Sequence, residues 1–561
     1  MLTQREFIKL LRAVRAPAQY IGQEENSVCK PGAAVRCCLC YPDKYTIGAA
    51  NLGLNILYFR GNALPDVAVE RAFLPEDDLL ALLQEKNIPL FSLESRRPLR
   101  DFDAVGFTLQ HELTYTNVLL LLERARIPLW AGERADDAPL IFAGGPCAFN
   151  PEPLADFLDV VLVGEGEELF EDFLRELARP EVKKMSRAEK LKQLAGLKRN
   201  GIYIPSLRNP TAKNYIKNLD SLDNPVKTII PYIDTVHNRL TLEIMRGCLR
   251  GCRFCQAGFT WRPLRPRSME NILRAAEQGL LNSGHSEISL LSLTATDYPD
   301  IKELVGALNQ KYLPRKINIS LPSLRAESLS AELLAETQKI RRSTVTIAPE
   351  AGTQRLRDII HKEITEEDIL RAADIAITSG ARSLKLYFIL GLPGETDADV
   401  LAIPELARKI LAAAQTRNFT LTISASNFVP KAHTPFQWAA ANAPEEIKRK
   451  QALIKQNLKS RRLNFRCHQA ESSAVEAVLS RAGREIGAVI LAAYRLGCRY
   501  DAWFEHFHYD LWLKALEQNG CGLADFLRPL PVDGALPWDH IDALAPKGYL
   551  RKEYLASQMQ G

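Results

Sequence analysis

The sequence lacks any apolar run long enough to cross a membrane. Its longest runs, such as VLLLL and GAVILAA, fall far short of the about 20 residues that a membrane-spanning helix needs. The first residues, MLTQREFIKLLRAVRAP, contain no uninterrupted apolar segment, so they predict a short amphipathic helix rather than a signal peptide. We therefore expect a cytoplasmic protein that has no membrane partner.

An excess of one charge is also lacking. The 561 residues carry 72 lysines and arginines against 67 aspartates and glutamates, a formal net charge of +5. So small a surplus does not by itself predict binding to nucleic acid or to a membrane. With 46% hydrophobic and 25% charged residues the chain is typical of a globular protein, and its length predicts two or three domains.

The sequence contains no internal repeat or low-complexity tract. Over its first 180 residues, predicted strands alternate with predicted helices. The segments AAVRCCLCY, DAVGFTL, PLIFAGG and DVVLVGEGEE predict strands, each followed by turn residues and an amphipathic stretch. This alternation indicates an α/β fold with a parallel sheet, so we expect a Rossmann-like domain over residues 1–180. GEGEE lacks the third glycine of a dinucleotide fingerprint, and we expect it to form the lip of a pocket.

Strands and helices alternate again after a lysine-rich segment, residues 181–235, which we interpret as a linker. Six predicted strands fall between TLEIM and SASNFVP. They indicate a partial (β/α)6 TIM-like barrel over residues 236–440, with its chemistry at the carboxyl ends of the strands. Residues 441–561 lose the strand pattern and predict a mainly helical C-terminal cap.

Three cysteines, Cys248, Cys252 and Cys255, follow the first barrel strand on a loop that also contains Gly247 and Gly251. Eleven cysteines in a reducing compartment do not predict a disulfide framework, so a tight group of them indicates a metal site. Three thiolates can hold three irons of a [4Fe–4S] cluster and leave the fourth iron open to a small molecule. The alternative is a zinc site completed by a distant histidine, although no second CxxC or Cys/His pair follows at zinc-finger spacing.

This Cys-x3-Cys-x2-Cys pattern, with Phe254 before the third cysteine and a barrel strand before the first, resembles the radical S-adenosylmethionine (SAM) superfamily. The resemblance implies that the three cysteines are both the metal ligands and the catalytic group. In that family the open iron binds S-adenosylmethionine, and one electron from the cluster cleaves it to methionine and a 5′-deoxyadenosyl radical. An external donor such as flavodoxin or ferredoxin supplies the electron, and the radical abstracts hydrogen from a substrate.

The resemblance also implies contacts with S-adenosylmethionine at later strand ends. GLPGE, residues 391–395, looks like the family's glycine-containing segment beside the adenine, and SLTATD, residues 292–297, has hydroxyls where the family has a Gly-Gly-Glu-like segment that holds the methionine amino group. The segments SLPSLR and APEAG end the next two strands and offer groups for the carboxylate and ribose. For the strand-end polar residues, the alternative role is that of turn residues or caps. The implied cofactor-binding residues are Phe254, Ser292, Thr294, Thr296, Ser323, Arg325, Glu350, Gly391 and Glu395.

The wider layout is similar to B12-binding-domain radical SAM proteins of unassigned substrate. LKLYFILGLPGET and NFVPKAHTPFQW resemble a methylthiotransferase-like radical core, and FAGGPCAFNPEPLADFLDVVLVGEGEE resembles the cobalamin-binding-type domain before it. However, no Asp-x-His-x-x-Gly follows the first strand, where PDKYTIGAANLG has Asp43 but no histidine. Either a corrinoid binds without an axial ligand from the protein, which favours methylation of an unactivated carbon, or the domain keeps the fold and has lost cobalamin.

The remaining cysteines have simpler interpretations. In RCCLCY, Cys37, Cys38 and Cys40 cannot converge from one strand without a bulge, so we expect them to pack in a core. The isolated cysteines are expected to be packed as well: Cys147, Cys467, Cys498 and Cys521. Cys467, beside His468, is the one candidate ligand among them.

The polar side chains around the cysteines do not identify the substrate. Two interpretations fit the arginines near the cysteine loop: they balance cluster charge and attract an anionic substrate such as RNA, or they form a solvated basic surface. These arginines are Arg246, Arg250, Arg253, Arg262, Arg265 and Arg267. His506, His508 and His540 either reach a substrate or fill the helical cap. The substrate is RNA, protein or a small molecule, and the rival function is a non-catalytic iron–sulfur or zinc protein that binds RNA or a protein partner.

Overall fold

The computed structural model describes residues 3–222, 224–341, 344–414 and 419–560. Its first part is a six-stranded sheet in the order β2-β1-β3-β4-β5-β6, in which β6 alone runs antiparallel. The order 2-1-3-4-5 is that of flavodoxin-like doubly wound folds, whose ligands bind at the carboxyl ends of β1 and β3. The strands are β1 (Val35–Lys44), β2 (Val67–Leu74), β3 (Ala104–Thr108), β4 (Leu140–Gly144), β5 (Val160–Leu162) and β6 (Ile202–Tyr203).

Helices cover this sheet as the alternation of the sequence predicted. They are α1 (Gln4–Leu11), α2 (Tyr45–Gly48), α3 (Leu52–Ala63), α4 (Asp77–Glu85), α5 (Tyr115–Arg124), α6 (Gly166–Ala178), α7 (Pro180–Lys183) and α8 (Arg187–Ala195). Segment 181–235, which we interpreted as a linker, supplies α8 and strand β6 to this part of the molecule. The sequence analysis did not predict β2, because Glu70 and Arg71 interrupt its apolar run. Both side chains are buried, and Arg71 bridges Glu24 and Glu94 at 2.7 Å each.

The three cysteines of β1 pack as expected. Cys37 belongs to the core on one face of the sheet, and Cys38 and Cys40 belong to the core on the other. All three are fully buried, and the strand pairs with β3 in unbroken register from Cys37 to Cys40. The prediction that these residues pack in a core is therefore confirmed.

The second part is an open barrel made of two parallel ladders, β12-β11-β8 and β13-β14-β15-β16. Its strands, with a hairpin after the first, are β8 (Leu240–Glu243), β9 (Met245–Arg246), β10 (Arg265–Pro266), β11 (Glu287–Leu291), β12 (Asn318–Ser320), β13 (Val345–Glu350), β14 (Ser383–Leu390), β15 (Thr420–Asn427) and β16 (Leu463–Cys467). Its helices are α9 (Gln256–Thr260), α10 (Met269–Ser283), α11 (Ile301–Tyr312), α12 (Ala331–Thr337), α13 (Gln354–Ile359), α14 (Glu366–Thr378) and α15 (Asp397–Ala413).

The C-terminal part is mainly helical but differs from expectation in two ways. Strand β16 joins the barrel from a region where no strand was predicted, because its five residues alternate too briefly to stand out. A small ladder also pairs β7 (Thr211–Ala212) with β17 (Ile541–Asp542). The helices are α16 (Pro444–Gln456), α17 (Ala470–Arg481), α18 (Ile486–Leu496), α19 (Tyr509–Gln518), α20 (Leu523–Leu527) and α21 (Lys547–Met559).

The C-terminal helices complete the core of the first sheet rather than cap only the barrel. Val489 and Ile490 of α18 and Trp512 of α19 share one hydrophobic core with Val118 and Leu122 of α5. The α/β class, the flavodoxin-like first part and the mainly helical C-terminal part confirm the predicted fold class. Among the described residues, no helix combines the length and the apolar character that crossing a membrane requires.

We expect Trp512→Ala to lower the free energy of unfolding by about 3–5 kcal/mol, since it leaves a large cavity in the shared core. It also removes the bond from the Trp512 indole N–H to Asp501 Oδ1 (3.1 Å), a buried carboxylate. Leu513→Ala, at a half-exposed neighbour on the same helix, is the control and is expected to cost far less. Thermal unfolding measured by calorimetry checks both, and equal shifts would contradict the shared core.

Candidate active site

The cysteine loop depends on two glycines with positive φ. Gly247 has φ +90°, and a Cβ there would lie 2.5 Å from the Pro263 carbonyl oxygen; Gly251 has φ +75°. The Cys255 amide donates to the Cys252 carbonyl (3.0 Å), and the Gly258 amide donates to Cys255 Sγ (3.4 Å) at the first turn of α9. The loop therefore turns tightly around its own sulfurs, as the glycine positions predicted.

The three thiols lie close enough to influence one another electrostatically. Burial raises the pKa of the Cys252 thiol and raises that of Cys255 to about 11, and the neighbouring cysteine sulfurs add to both effects. Sulfurs in this environment stay protonated unless a cation is bound, because burial penalises the thiolate. A soft donor set of three sulfurs, two of them with raised pKa values, fits iron, which would supply the missing positive charge.

Arg253, between the second and third cysteine sites, anchors the loop from behind. Its guanidinium donates to the Ile359 carbonyl (2.7 Å) and to Glu553 Oε2 (3.1 Å) of α21, and its backbone amide donates to the Ile360 carbonyl (3.0 Å). Phe254 packs half-buried against the hydrophobic cluster that contains Ile359. The last helix of the chain therefore fixes the position of the cysteine loop.

Two candidate S-adenosylmethionine contacts lie close enough to Cys252 to affect its pKa. They are Arg325, on the loop after β12, and Glu350, the last residue of β13. Glu350 has φ +66°, and its carboxylate accepts from Lys362 Nζ (3.2 Å). Burial raises the pKa of Glu350, while Lys362 and then Arg325 oppose that rise. Arg325 binds Glu327 through Nε, and its Nη2 makes no hydrogen bond; the buried Thr296 hydroxyl makes none either. These orphaned donors fit a ligand that brings its own acceptors.

The buried Thr294 hydroxyl also makes no hydrogen bond, whereas Ser292, Ser323 and Glu395 are occupied by local hydrogen bonds. Ser292 Oγ accepts from the Thr294 amide (3.1 Å), and Ser323 Oγ donates to the Leu293 carbonyl (2.8 Å). Glu395 Oε2 accepts from the Gly391 amide and from Lys450 Nζ, each at 2.8 Å. These contacts correspond to the alternative role, in which the side chains close turns.

One acidic residue near the loop was not singled out by the sequence analysis. Asp297, the last residue of SLTATD, accepts from Arg250 Nε (3.0 Å) of the cysteine loop. Burial alone would raise the pKa of Asp297. The Arg250 guanidinium stabilises the charged carboxylate, and the pKa is lowered as a result. Its position in the segment that replaces Gly-Gly-Glu is the signal that could have identified it.

A cavity of about 690 Å³ lies between the first sheet and the barrel. It sits at the carboxyl ends of β1, β3, β4 and β5, where flavodoxin-order sheets bind ligands, and it reaches Gly247 of the cysteine loop and Ser292 after β11. Its lining includes Tyr41, Asn51, Thr108, Gln110, Gly145, Glu165, Thr241 and Trp261. The GEGEE segment supplies Gly164 to Glu167 to the wall, so its role as the lip of a pocket is confirmed.

Asp43, the acidic residue of the first loop, does not line this cavity. It is buried, and its Oδ1 accepts from the Trp503 indole N–H (2.8 Å) of the C-terminal part. This loop contains no histidine, and the imidazole that lines the cavity belongs to His237, before β8.

The arginines around the cysteines are mostly buried and paired, not a solvated basic surface. Arg246 binds Glu167 Oε1 (2.7 Å) and Glu165 Oε2 (3.1 Å) of the first part and Glu243 Oε2 (2.7 Å) of β8. Arg265 binds Glu165 Oε1 (2.6 Å). We call these residues the domain bridge: Glu165, Glu167, Glu243, Arg246 and Arg265. Burial would raise the pKa of Glu167, but Arg246 holds it below its usual range.

Away from the cysteines, several predictions turn out differently. Cys147 and Cys498 are buried as expected, and Cys521 is half-buried and packs against the core that contains Trp512. Cys467, at the end of β16, is exposed, so packing was the wrong expectation for this residue. The ring centres of His540 and Tyr203 lie 4.6 Å apart, and His540 Nε2 lies 3.4 Å from Glu152 Oε1. These contacts join the C-terminal part to β6.

The sequence analysis did not predict a partly buried cluster of charged residues. His111, Glu112 and Glu476 bring three ligand atoms within 4.8 Å of one another, which resembles a metal site. However, Lys431 Nζ donates to both Glu112 and Glu476 at 2.7 Å and supplies the positive charge itself. The cluster therefore joins three parts of the chain as an ion pair network.

Comparison with known proteins agrees with this geometry. The family model of the radical SAM superfamily matches residues 242–407, and that of the N-terminal part of radical SAM proteins matches residues 53–205. The chain belongs to the radical SAM superfamily. Radical SAM proteins need a [4Fe–4S] cluster and S-adenosylmethionine, and three thiols with an open fourth position fit that need.

Individual relatives of this radical SAM protein differ in how much they share. An uncharacterized protein of Methanocaldococcus jannaschii is 29% identical over 443 residues, 79% of this chain and 87% of that one. The ribosomal protein uS12 methylthiotransferase RimO of Thermotoga maritima is 24% identical over 252 residues, so the match spans 43% of this chain and about half, 54%, of that relative. The methyltransferase TsrM of Kitasatospora setae, with cobalamin and a [4Fe–4S] cluster bound, shares the fold at 14% identity and a TM-score of 0.50, covering 70% of this chain and 74% of TsrM.

We expect Arg246→Met to cost about 3–5 kcal/mol of stability, because it leaves the Glu167 carboxylate buried without its guanidinium and removes one arginine partner each from Glu165 and Glu243. Arg175→Met, at an exposed ion pair with Glu171 on α6, is the matched control and is expected to cost about 0–1 kcal/mol. Urea unfolding of both variants measures the difference. A small effect at Arg246 would contradict the domain bridge as a stabilising contact between the two parts.

Proposed function

We propose that this protein is a radical SAM enzyme that binds a corrinoid in the cavity and methylates an unactivated carbon. The observation that carries the proposal is the place of the cavity: it fills the ligand position of a flavodoxin-order sheet and touches Gly247, the residue before Cys248. A ligand held there lies beside the cysteine loop. A radical made at the loop and a methyl group carried in the cavity would then meet one substrate.

The cysteine loop is proposed to hold the [4Fe–4S] cluster through Cys248, Cys252 and Cys255. When bound, the cluster supplies the electron that cleaves S-adenosylmethionine. Arg325 is proposed to bind the methionine carboxylate through its free Nη2, and Glu350 to accept from the ribose hydroxyls. Burial raises the pKa of Glu350, but Lys362 opposes that rise and so favours the charged carboxylate, which suits an acceptor.

The first part is proposed to hold the corrinoid by shape rather than by an axial side chain from the β1 loop. Asp43 is turned away into the contact with Trp503, and the cavity wall is predominantly apolar, as an extended macrocycle requires. The shared fold of TsrM, described with cobalamin and the cluster bound, supports a corrinoid in this position. The relation to methylthiotransferases supports a radical that acts on carbon.

We expect Cys252→Ala to lose most of the iron that the reconstituted protein carries, from about four per chain, because one of three ligands is missing. It should also lose 5′-deoxyadenosine formation when reductant and S-adenosylmethionine are added. Cys521→Ala, away from the loop, is the control and should keep both. One zinc per chain and no nucleoside in the wild type would instead favour the rival, non-catalytic metal protein.

We expect Gly53→Phe to abolish hydroxocobalamin binding, measured by absorption spectrum and cobalt content. Gly53 lines the cavity, and only Asn51 Oδ1 (3.3 Å) lies near a Cβ built there, so the ring is accommodated but fills the ligand space. Gly132→Phe is the control, since nothing lies within 4 Å of its Cβ and it is remote from the cavity lining. Equal cobalt retention in both variants would move the corrinoid elsewhere.

A further inference from the structure

The barrel contains a polar surface that the proposed cofactors do not use. On β14, Leu384, Leu386 and Phe388 are buried against the outer helices, while Lys385 and Tyr387 alternate with them and face the lumen. Tyr387 is 38% exposed, so this inner face is open. The side chains that face the lumen here would meet a molecule inside the barrel.

Strand register extends this surface across three neighbouring strands. Lys385 pairs with Thr346 of β13 and Thr422 of β15, and Tyr387 pairs with Ser424 of β15, which in turn pairs with Arg466 of β16. Residues paired in a parallel ladder share one face of the sheet. We call this surface the polar wall, and its residues are Thr346, Lys385, Tyr387, Thr422, Ser424 and Arg466.

The two cations of the polar wall, Lys385 and Arg466, have no acidic partner in the part of the chain that the structure describes. Lys385 Nζ donates to the Tyr387 hydroxyl (2.6 Å) and lies 4.3 Å from the centre of its ring, which directs the ammonium toward the carboxyl end of the strand. Within the described ranges, neither Lys385 nor Arg466 forms a salt bridge.

The acidic residues on the other inner faces are already paired. Glu243 binds Arg246, Glu287 binds Arg239 (3.3 Å), and Glu350 binds Lys362 (3.2 Å). The polar wall therefore has two unpaired cations, with hydroxyl donors between them and no carboxylate. Lys385 and Arg466 lie on either side of β15, with strands about 4.8 Å apart, and Arg466 is two residues further along the register. The Lys385 ammonium reaches the hydroxyl of Tyr387, which is level with Arg466, so the two cations can converge on one group.

We propose that the polar wall binds an anionic group of the substrate, a phosphate or a carboxylate. An ammonium, a guanidinium and hydroxyl donors are the groups that anionic oxygens accept from most strongly. The inference rests on the proposed function, because it assigns the bound molecule as the substrate of the radical. It narrows the substrate to an acid whose charged end lies below the cysteine loop.

The test is calorimetric titration of the reconstituted full-length protein with inorganic pyrophosphate and, separately, with succinate. We expect the wild type to bind at least one of them, and Lys385→Met to raise its Kd about tenfold or more. Lys385→Arg, which keeps the charge, should retain most of the affinity. Lys302→Met, at an exposed lysine of α11 outside the barrel, is the control and should not change Kd.

If Lys385→Met fails to fold, Arg466→Met on the edge strand is the second variant. It is expected to raise the Kd of the same anion. A preference for pyrophosphate assigns a phosphate, and a preference for succinate assigns a carboxylate. Binding of neither anion, or unchanged affinity in both methionine variants, would overturn the polar wall as a site. Iron content and 5′-deoxyadenosine are measured separately. A protein that forms no cluster but binds the anion refutes the proposed function and the assignment of the anion as its substrate, while the polar wall remains an anion site.

Discussion

The buried guanidinium of Arg246 is the contact on which the arrangement of this protein depends. It lies directly before the cysteine loop and binds carboxylates from the GEGEE segment and from the first barrel strand. Each of these charges has lost several kcal/mol of hydration on burial, which only a complete set of partners recovers. Small displacements between the first sheet and the barrel would leave a buried charge unpaired, so the cavity between them has a defined shape.

This constraint connects the cysteine loop to the cavity in one unit. The loop is held from one side by the domain bridge and from the other by Arg253, which contacts the barrel backbone and Glu553 of the last helix. The cavity wall continues into Gly247, so any movement of the first sheet changes the space beside Cys248. Cluster site and ligand space are therefore positioned by the same contacts.

Much of the fold and the centre of the site could be predicted from the sequence. Apolar strands separated by amphipathic helices identified both α/β parts, and the spacing of three cysteines with two glycines identified the loop. The sequence could not show pairing between distant residues. The roles of Arg246 and Arg265 stayed open in the sequence because their shared partner Glu165 lies 81 and 100 positions away from them. For the same reason Arg71 concealed β2, and Lys431 between Glu112 and Glu476 gave no signal.

The packing of α18 and α19 against α5 has a consequence for how the chain is made. A ribosome releases the first sheet more than 280 residues before Val489 and Trp512 emerge to cover one of its faces. Until then that apolar face is open to chaperones or to mispairing, because domains form during synthesis from the N-terminus. A fragment ending after the barrel would keep this exposed surface, so dissecting the protein for study requires a fused or co-expressed C-terminal segment.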